Sequence, residues 1–294
     1  MWKPISKTLH LATQYIAPNY IAGGEIIDAI RICRRIDRDG WRSTICRWND
    51  SNESPELIAS SYREALNVIK SQTLDCYLSI KVPPLKYDFE ILKELLTLAS
   101  EHNTRIHFDA LAHDTASPSF SLLERALKCY GNISCTIPAR WRRSVSDAER
   151  AIDLGVAIRV VKGQFPDPNE PDPDLGAYFL NLIDILAGRG AKVAVATHDA
   201  ALAKKSLIKL QESGTPCELE QLFGLPLCGD TVAKPLNVKA RLYIPYGYAY
   251  LPYAISEARK HPLILVRVLR DIVIGKKRRL KGLGCPPKPT IPQN

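Results

Sequence analysis

The sequence predicts a closed (βα)8 barrel of the TIM type, distorted, with helices before it and a C-terminal helix plus a basic, proline-rich disordered tail after it. Three observations predict it. Eight short apolar, β-branched segments recur along the chain. Stretches with helical periodicity lie between them, and strands alternating with helices imply parallel βα units. Most of the segments also end in a polar or charged cluster that a folded interior has no reason to keep, as expected where chemistry sits at the carboxyl ends of barrel strands.

The elements follow in order. Residues 1–40 read as a helical preface, in which Gly23-Gly24 precedes an amphipathic run over 25–36 suited to covering an open barrel end. The strand segments are residues 41–48 (WRSTICRW), 74–82 (LDCYLSIKV), 105–111 (RIHFDAL), 133–139 (ISCTIPA), 157–163 (AIRVVKG), 192–199 (KVAVATHD), 217–224 (CELEQLFG) and 240–247 (ARLYIPYG). Stretches with helical periodicity lie between them, such as 55–69, 89–100, 144–154, 175–187 and 200–211. The barrel is assigned to residues 41–262, and residues 263–294 form the C-terminal helix and tail. An open doubly wound sheet is the competing architecture, but no GxGxxG follows the first strand.

A chain of 294 residues, 46% of them hydrophobic, buries a substantial core, and one barrel with additions uses all of it. Eight cysteines show no CxxC and no zinc spacing, so no metal is expected and a reduced, cytoplasmic compartment is the economical reading. No apolar run reads as a signal peptide or a membrane span. The net charge of +9 is concentrated at the end, where Lys276, Lys277, Arg278, Arg279 and Lys281 follow the apolar run 263–274. That segment is either the solvated basic end of an outer helix or a peripheral contact with an anionic membrane face. No nucleic-acid motif accompanies the charge.

The strand ends carry more. Arg159-Val160-Val161-Lys162-Gly163, Ala196-Thr197-His198-Asp199, Glu218 to Gly224 and Arg241-Leu242-Tyr243-Ile244-Pro245-Tyr246-Gly247 stand in the order and spacing of the proline dehydrogenase family. The chain resembles a small, single-activity member of that family over roughly residues 20–262. The resemblance implies a distorted barrel that holds FAD noncovalently, takes a hydride from the carbon beside the nitrogen of proline, yields 1-pyrroline-5-carboxylate and passes electrons to a quinone. It implies catalytic roles for Lys81, in Ser79-Ile80-Lys81-Val82, for Asp109 as the ion-pair partner of Lys81, and for Tyr243, which lines the proline pocket. It also implies FAD contacts from Arg159, Lys162, Gly163, Thr197, His198 and Glu220. Strand alternation sets Arg159, Val161 and Gly163 on one face and Lys162 on the other, so Arg159 is the residue expected to face the flavin. Asp199, where the family has asparagine, reads as a cap on the following helix. Glu220 is expected to make a hydrogen bond at the rim.

The pattern breaks in the eighth helix. The family's YxxRR, whose arginines clamp the substrate carboxylate, aligns with Tyr253-Ala254-Ile255-Ser256-Glu257. Losing two charge-assisted bonds weakens carboxylate binding by about 10²- to 10⁴-fold, and Arg259, one turn on from Ser256, compensates only in part. Pro138 and Phe165 also stand where the family has a glutamine and a tyrosine. Three readings follow: a proline dehydrogenase with a divergent clamp, a flavin oxidoreductase for another cyclic or secondary amine, or a noncatalytic barrel with a binding or regulatory role.

Overall fold

The computed structural model describes residues 21–50, 52–170 and 173–247. Eight parallel strands close a barrel in sequence order, and β8 pairs with β1. They are β1 (Arg42–Arg47), β2 (Cys76–Ile80), β3 (Ile106–Phe108), β4 (Ile133–Pro138), β5 (Ala157–Val161), β6 (Val193–Ala196), β7 (Cys217–Leu222) and β8 (Lys239–Tyr246). The described helices are α1 (Ile26–Arg38), α2 (Pro55–Lys70), α3 (Phe89–Ser100), α4 (Ala116–Leu127), α5 (Ser144–Asp153), α6 (Leu175–Leu186) and α7 (Ala200–Glu212). Seven strands lie inside their predicted segments and β8 begins one residue before its own, at Lys239, so the barrel expectation holds. Among the described residues no helix is long and apolar enough to cross a membrane, and no group of His, Cys, Asp and Glu is arranged for a metal ion.

Helix starts follow from local chemistry. Ser54 caps α2 with Pro55 in its first turn, Asp88 caps α3, Asp174 caps α6 and Asp199 caps α7. In each case a short side-chain oxygen accepts from amides that the helix itself leaves unpaired.

The preface behaves differently from expectation. Ala22 N donates to Pro245 O and Gly247 N to Gly23 O, so this segment starts at the carboxyl rim. After α1, Trp41 N bonds Ile36 O and β1 begins at the amino rim. The helix therefore runs antiparallel to the strands along the outer wall at the β1–β8 seam, burying Ile26, Ala29, Ile30, Cys33 and Ile36. It flanks the barrel and does not cover an end, because its apolar stripe fills the groove between two outward-facing strand surfaces.

The apolar core lies between strands and helices. Ile45, Leu78, Ile80, Ile137, Val160 and Leu219 face outward and are fully buried under the helices. The alternate, inward positions are polar, including Thr44, Tyr77, Ser79, His107, Thr136, Arg159, Glu220 and Arg241. A barrel interior is usually filled by branched apolar side chains. Here two layers of hydrogen-bonded charge replace them.

The lower layer, at the amino ends, centres on Glu218. It receives Arg241 Nε at 3.0 Å, Arg42 Nη1 at 3.0 Å and Lys192 Nζ at 3.4 Å. Burial pushes this carboxyl up, but Arg241 and Lys192 outweigh burial and bring it down to about 2. A depressed folded pKa contributes stability that is present above the unfolded value and lost as pH falls through the folded one. Glu218 is therefore expected to withdraw about 3 kcal/mol between roughly pH 5 and pH 2. Urea unfolding across that range checks this. Glu218→Gln should be less stable at neutral pH and lose less on acidification, whereas parallel losses would count against the assignment.

Candidate active site

The upper layer forms the floor of the site. β3 ends at Phe108, and the next residue, Asp109, keeps its amide on Ile80 O at 2.9 Å while its carboxylate enters the barrel. Its Oδ1 accepts from Arg159 Nη1 at 3.0 Å and Thr136 Oγ1 at 3.1 Å. Its Oδ2 accepts from Tyr243 Oη at 2.7 Å and Ser79 Oγ at 2.9 Å, with Cys46 Sγ 3.8 Å away. Four donors fill a carboxylate's strong acceptor sites.

Arg159 stands at the centre, 3% exposed. Nε and Nη2 reach the two oxygens of Glu220 at 2.8 and 2.9 Å in a bidentate fork. Nη2 also donates to Tyr77 Oη at 3.2 Å. Burial acts against this charge, yet Glu220, Tyr77 and Asp109 outweigh it and hold the guanidinium well above its ordinary range. Glu220 is completed by Thr44 Oγ1 at 2.9 Å and Tyr77 Oη at 3.3 Å. Beneath Asp109, His107 bonds Ser134 and Thr136, each at 2.7 Å. Burial and the nearby arginines depress its pKa, so it is neutral. Because the Thr136 hydroxyl proton is given to Asp109, Thr136 accepts from His107, whose ring proton therefore sits on Nε2.

Above this floor opens a cavity of about 600 Å³ at the carboxyl rim. Lys81, Asp109, Arg159, Gly163, Thr197, His198, Glu220 and Tyr243 all line it, so eight residues scattered over the sequence reach one space. Pro138 and Phe165 line it as well. Lys81, one inward position nearer the rim than Ser79, donates from Nζ to Arg47 O at 3.2 Å and lies 5.7 Å from the Trp48 ring. Gly163 closes β5 at φ +91°, where a Cβ would meet Pro138 Cβ at 2.8 Å, so the rim there requires glycine.

Several expected roles change. Asp109 pairs with Arg159, not with Lys81, because the barrel's tilt brings β5 across the floor while Lys81 sits a layer higher. Arg159 is spent on two carboxylates and offers no unmatched charge to a flavin. Glu220 is 2% exposed and is the counter-ion of Arg159, not a rim contact. Lys162 lies outside the cavity wall and pairs with Asp199 at 3.4 Å, as its opposite strand face dictates. His198 keeps its ring on the wall but uses both nitrogens: Nδ1 donates to Pro226 O at 2.9 Å and Nε2 accepts from Leu222 N at 2.9 Å. It therefore brackets the loop after β7. Thr197 Oγ1 accepts from Asp199 N at 3.2 Å. Tyr253, Ser256, Glu257 and Arg259 lie outside the described residues, as do residues 1–20 and the tail with its basic cluster.

The sequence reading assigned no role to Thr44, Cys46, Tyr77, Ser79, His107 or Thr136. Their signal was present as polar residues at alternate positions of otherwise apolar strands.

The size and polarity of this cavity suit a flavin ring. The volume lies within the range of small-molecule sites, the wall includes the apolar Pro138, Val161, Phe165 and Leu222, and polar groups converge at the floor.

No family model matches the chain. It is 24% identical over 280 residues to Proline dehydrogenase 1 of Bacillus subtilis (strain 168), covering 89% of this chain and 92% of that protein. The same figures hold for Proline dehydrogenase 1 of Bacillus subtilis subsp. natto. Among solved structures, proline utilization A from Bdellovibrio bacteriovorus matches with a TM-score of 0.72 at 13% identity, over 84% of this chain and 33% of that one. Its counterpart from Corynebacterium freiburgense matches with a TM-score of 0.67 at 17% identity, over 96% of this chain and 35% of that one. The chain thus spans about a third of those larger proteins and nearly the whole of the Bacillus ones. The resemblance to proline dehydrogenases therefore extends well beyond the rim motifs that first suggested it.

Proposed function

We propose that this chain is a flavin-dependent proline dehydrogenase that oxidises proline to 1-pyrroline-5-carboxylate. The observation that carries the reading is the charge layout of the cavity. Asp109 and Glu220 share one cation, Arg159, so the floor has a net negative charge. Lys81, nearer the rim, has no carboxylate partner among the described residues. A cyclic amino acid is thereby turned with its nitrogen towards the floor and its carboxylate towards Lys81.

When bound, FAD would be held against Val161, Phe165, Thr197 and Leu222 and would supply the hydride acceptor. The chain's own groups do the rest. Tyr243 gives its hydroxyl proton to Asp109, which leaves the phenolic oxygen to accept from the substrate N–H. Burial, reinforced by the charge of Asp109, pushes the Tyr243 pKa well up, so this group stays protonated across the working range. Asp109, with four donors on it, acts through Tyr243. The apolar wall keeps water from the reacting carbon.

The reacting amine must be neutral, because a protonated nitrogen has no lone pair to assist hydride loss. Activity is therefore expected to rise from about pH 6 to pH 9, and a flat profile would contradict the mechanism. Tyr243→Phe should lower kcat/KM about 10- to 100-fold by removing one hydrogen bond to the substrate. The shape of the pH profile should persist, since the titrating group is the substrate; a displaced profile would make Tyr243 the titrating group instead.

The deciding experiment is the visible spectrum of the purified protein before and after anaerobic addition of proline. Flavin absorbance that bleaches supports proline oxidation. Flavin absorbance that persists favours another cyclic or secondary amine, a reading that Ser256 and Glu257 in place of the family's arginine pair also favour. A colourless protein indifferent to FAD rejects the enzymatic reading. As further parts of the proposal, a quinone is the electron acceptor, and the protein works in the cytoplasm with its basic segment 276–281 against the inner membrane face. Cosedimentation with anionic vesicles, lost on truncation before Lys276, tests the membrane contact.

A further inference from the structure

The opposite, amino-terminal mouth of the barrel holds a second cavity, of about 330 Å³. Arg42, Arg105, Lys192 and Arg241 line it together with Asp75, and Glu218 lies behind them. Their charges do not match. Arg42 and Arg241 share Asp75, each at 2.8 Å, and both also share Glu218 with Lys192. Arg105 has no carboxylate among the described residues, and its Nε makes only a 3.4 Å bond to Asn132 Oδ1. Lys70 also borders the space but pairs with Glu101 at 3.6 Å, so the other four cations face two carboxylates, which leaves two positive charges in a partly enclosed space.

We propose that this cavity binds a small divalent oxyanion of the class of inorganic phosphate. The guanidinium groups are held in place beforehand. The Tyr77 ring packs 4.5 Å from Arg241 and 5.2 Å from Arg105, fixing two planar donor forks beside the opening. Asn103, Thr104 and Asn132 border the same space and add polar groups at the edge. Burial and the repulsion of Arg105, Arg241 and Arg42 also hold the Lys192 amine below its ordinary range despite Glu218, which is the mark of a cluster short of negative charge. Asp75 opposes an anion, but both of its arginines already neutralise it. A purely stabilising role, usual for the amino face of such barrels, asks for matched charge and no cavity. Neither condition holds here.

The test is equilibrium dialysis of inorganic phosphate against the full-length protein with FAD in excess, at about pH 8, where phosphate is chiefly the dianion. Ionic strength is kept constant with chloride. The expected result is saturation at one phosphate per chain. Arg105→Gln, which removes no ion pair, should weaken binding about tenfold or more, and Lys192→Gln should weaken it as well. Neither change touches the cavity at the carboxyl rim, so the flavin spectrum and proline turnover should match wild type. Absence of saturation overturns the proposal as an adventitious ion only. Binding that both variants leave unchanged overturns it too, because the phosphate then sits elsewhere.

Discussion

Arg159→Met is expected to cost about 3–5 kcal/mol of folding stability, the range for removing one partner of a buried ion pair. The reason is the company it keeps. Asp109 and Glu220 both depend on this guanidinium, and Glu220 is 2% exposed. Methionine fills much of the same volume, so the loss is electrostatic, not a packing void. For a barrel of this size the midpoint of thermal unfolding should fall by on the order of 10 °C. Arg159→Met/Glu220→Leu, which removes one of the stranded carboxylates, should recover part of the loss. A single variant within about 1 kcal/mol of wild type would mean that water or proton uptake already neutralises the floor. Turnover should also fall sharply, since Asp109 would lose a donor and Tyr243 its fixed orientation.

Lys81→Met is expected to raise KM for proline about 10- to 100-fold while kcat changes little. One charge-assisted bond to a carboxylate is worth about 1.5–3 kcal/mol, and it is made equally to the bound substrate and to the transition state. Pyrrolidine, which has the ring and nitrogen of proline without its carboxylate, provides the control. Lys81→Met should leave its kinetics unchanged. If both substrates suffer alike, Lys81 serves the flavin or the wall and not the carboxylate, and the orientation proposed for proline fails. The methionine side chain can still lie against Trp48, so a fold-wide effect is not expected.

Much of the barrel was legible because its signals are local. Residues 89–100 and α3 coincide, since Asp88 supplies a cap and Leu92, Leu95, Leu96 and Ala99 supply the helical stripe. The strand segments stood out because their outward faces are continuous apolar surface. The site was legible differently. Arg159, Val161 and Gly163 were correctly set on one face by strand alternation alone, and all three line the cavity. Partner choice was not legible. Lys81 and Asp109 are 28 positions apart on adjacent strand ends and looked like a pair, yet Asp109 took Arg159 from 50 positions away. His198 looked like a cofactor contact, and its nitrogens went to backbone groups at the end of β7 and in the loop after it.

The sequence by itself determined the order of the strands, five of the helices between them, the Asp199 cap and most of the residues that gather at the carboxyl rim, whereas α4 over Ala116–Leu127 was not among the helical stretches it marked. These depend on periodicity and on side-chain chemistry within a few residues. Only the tertiary structure decided that α1 flanks the wall, that Arg159 is neutralised, that Lys81 lines the cavity without a carboxylate partner among the described residues, and that the amino mouth holds an excess of cations. Closing a tilted barrel brings distant strands to the same height, and a buried charge takes whichever partner that closure sets within about 3 Å, however far away it lies along the chain.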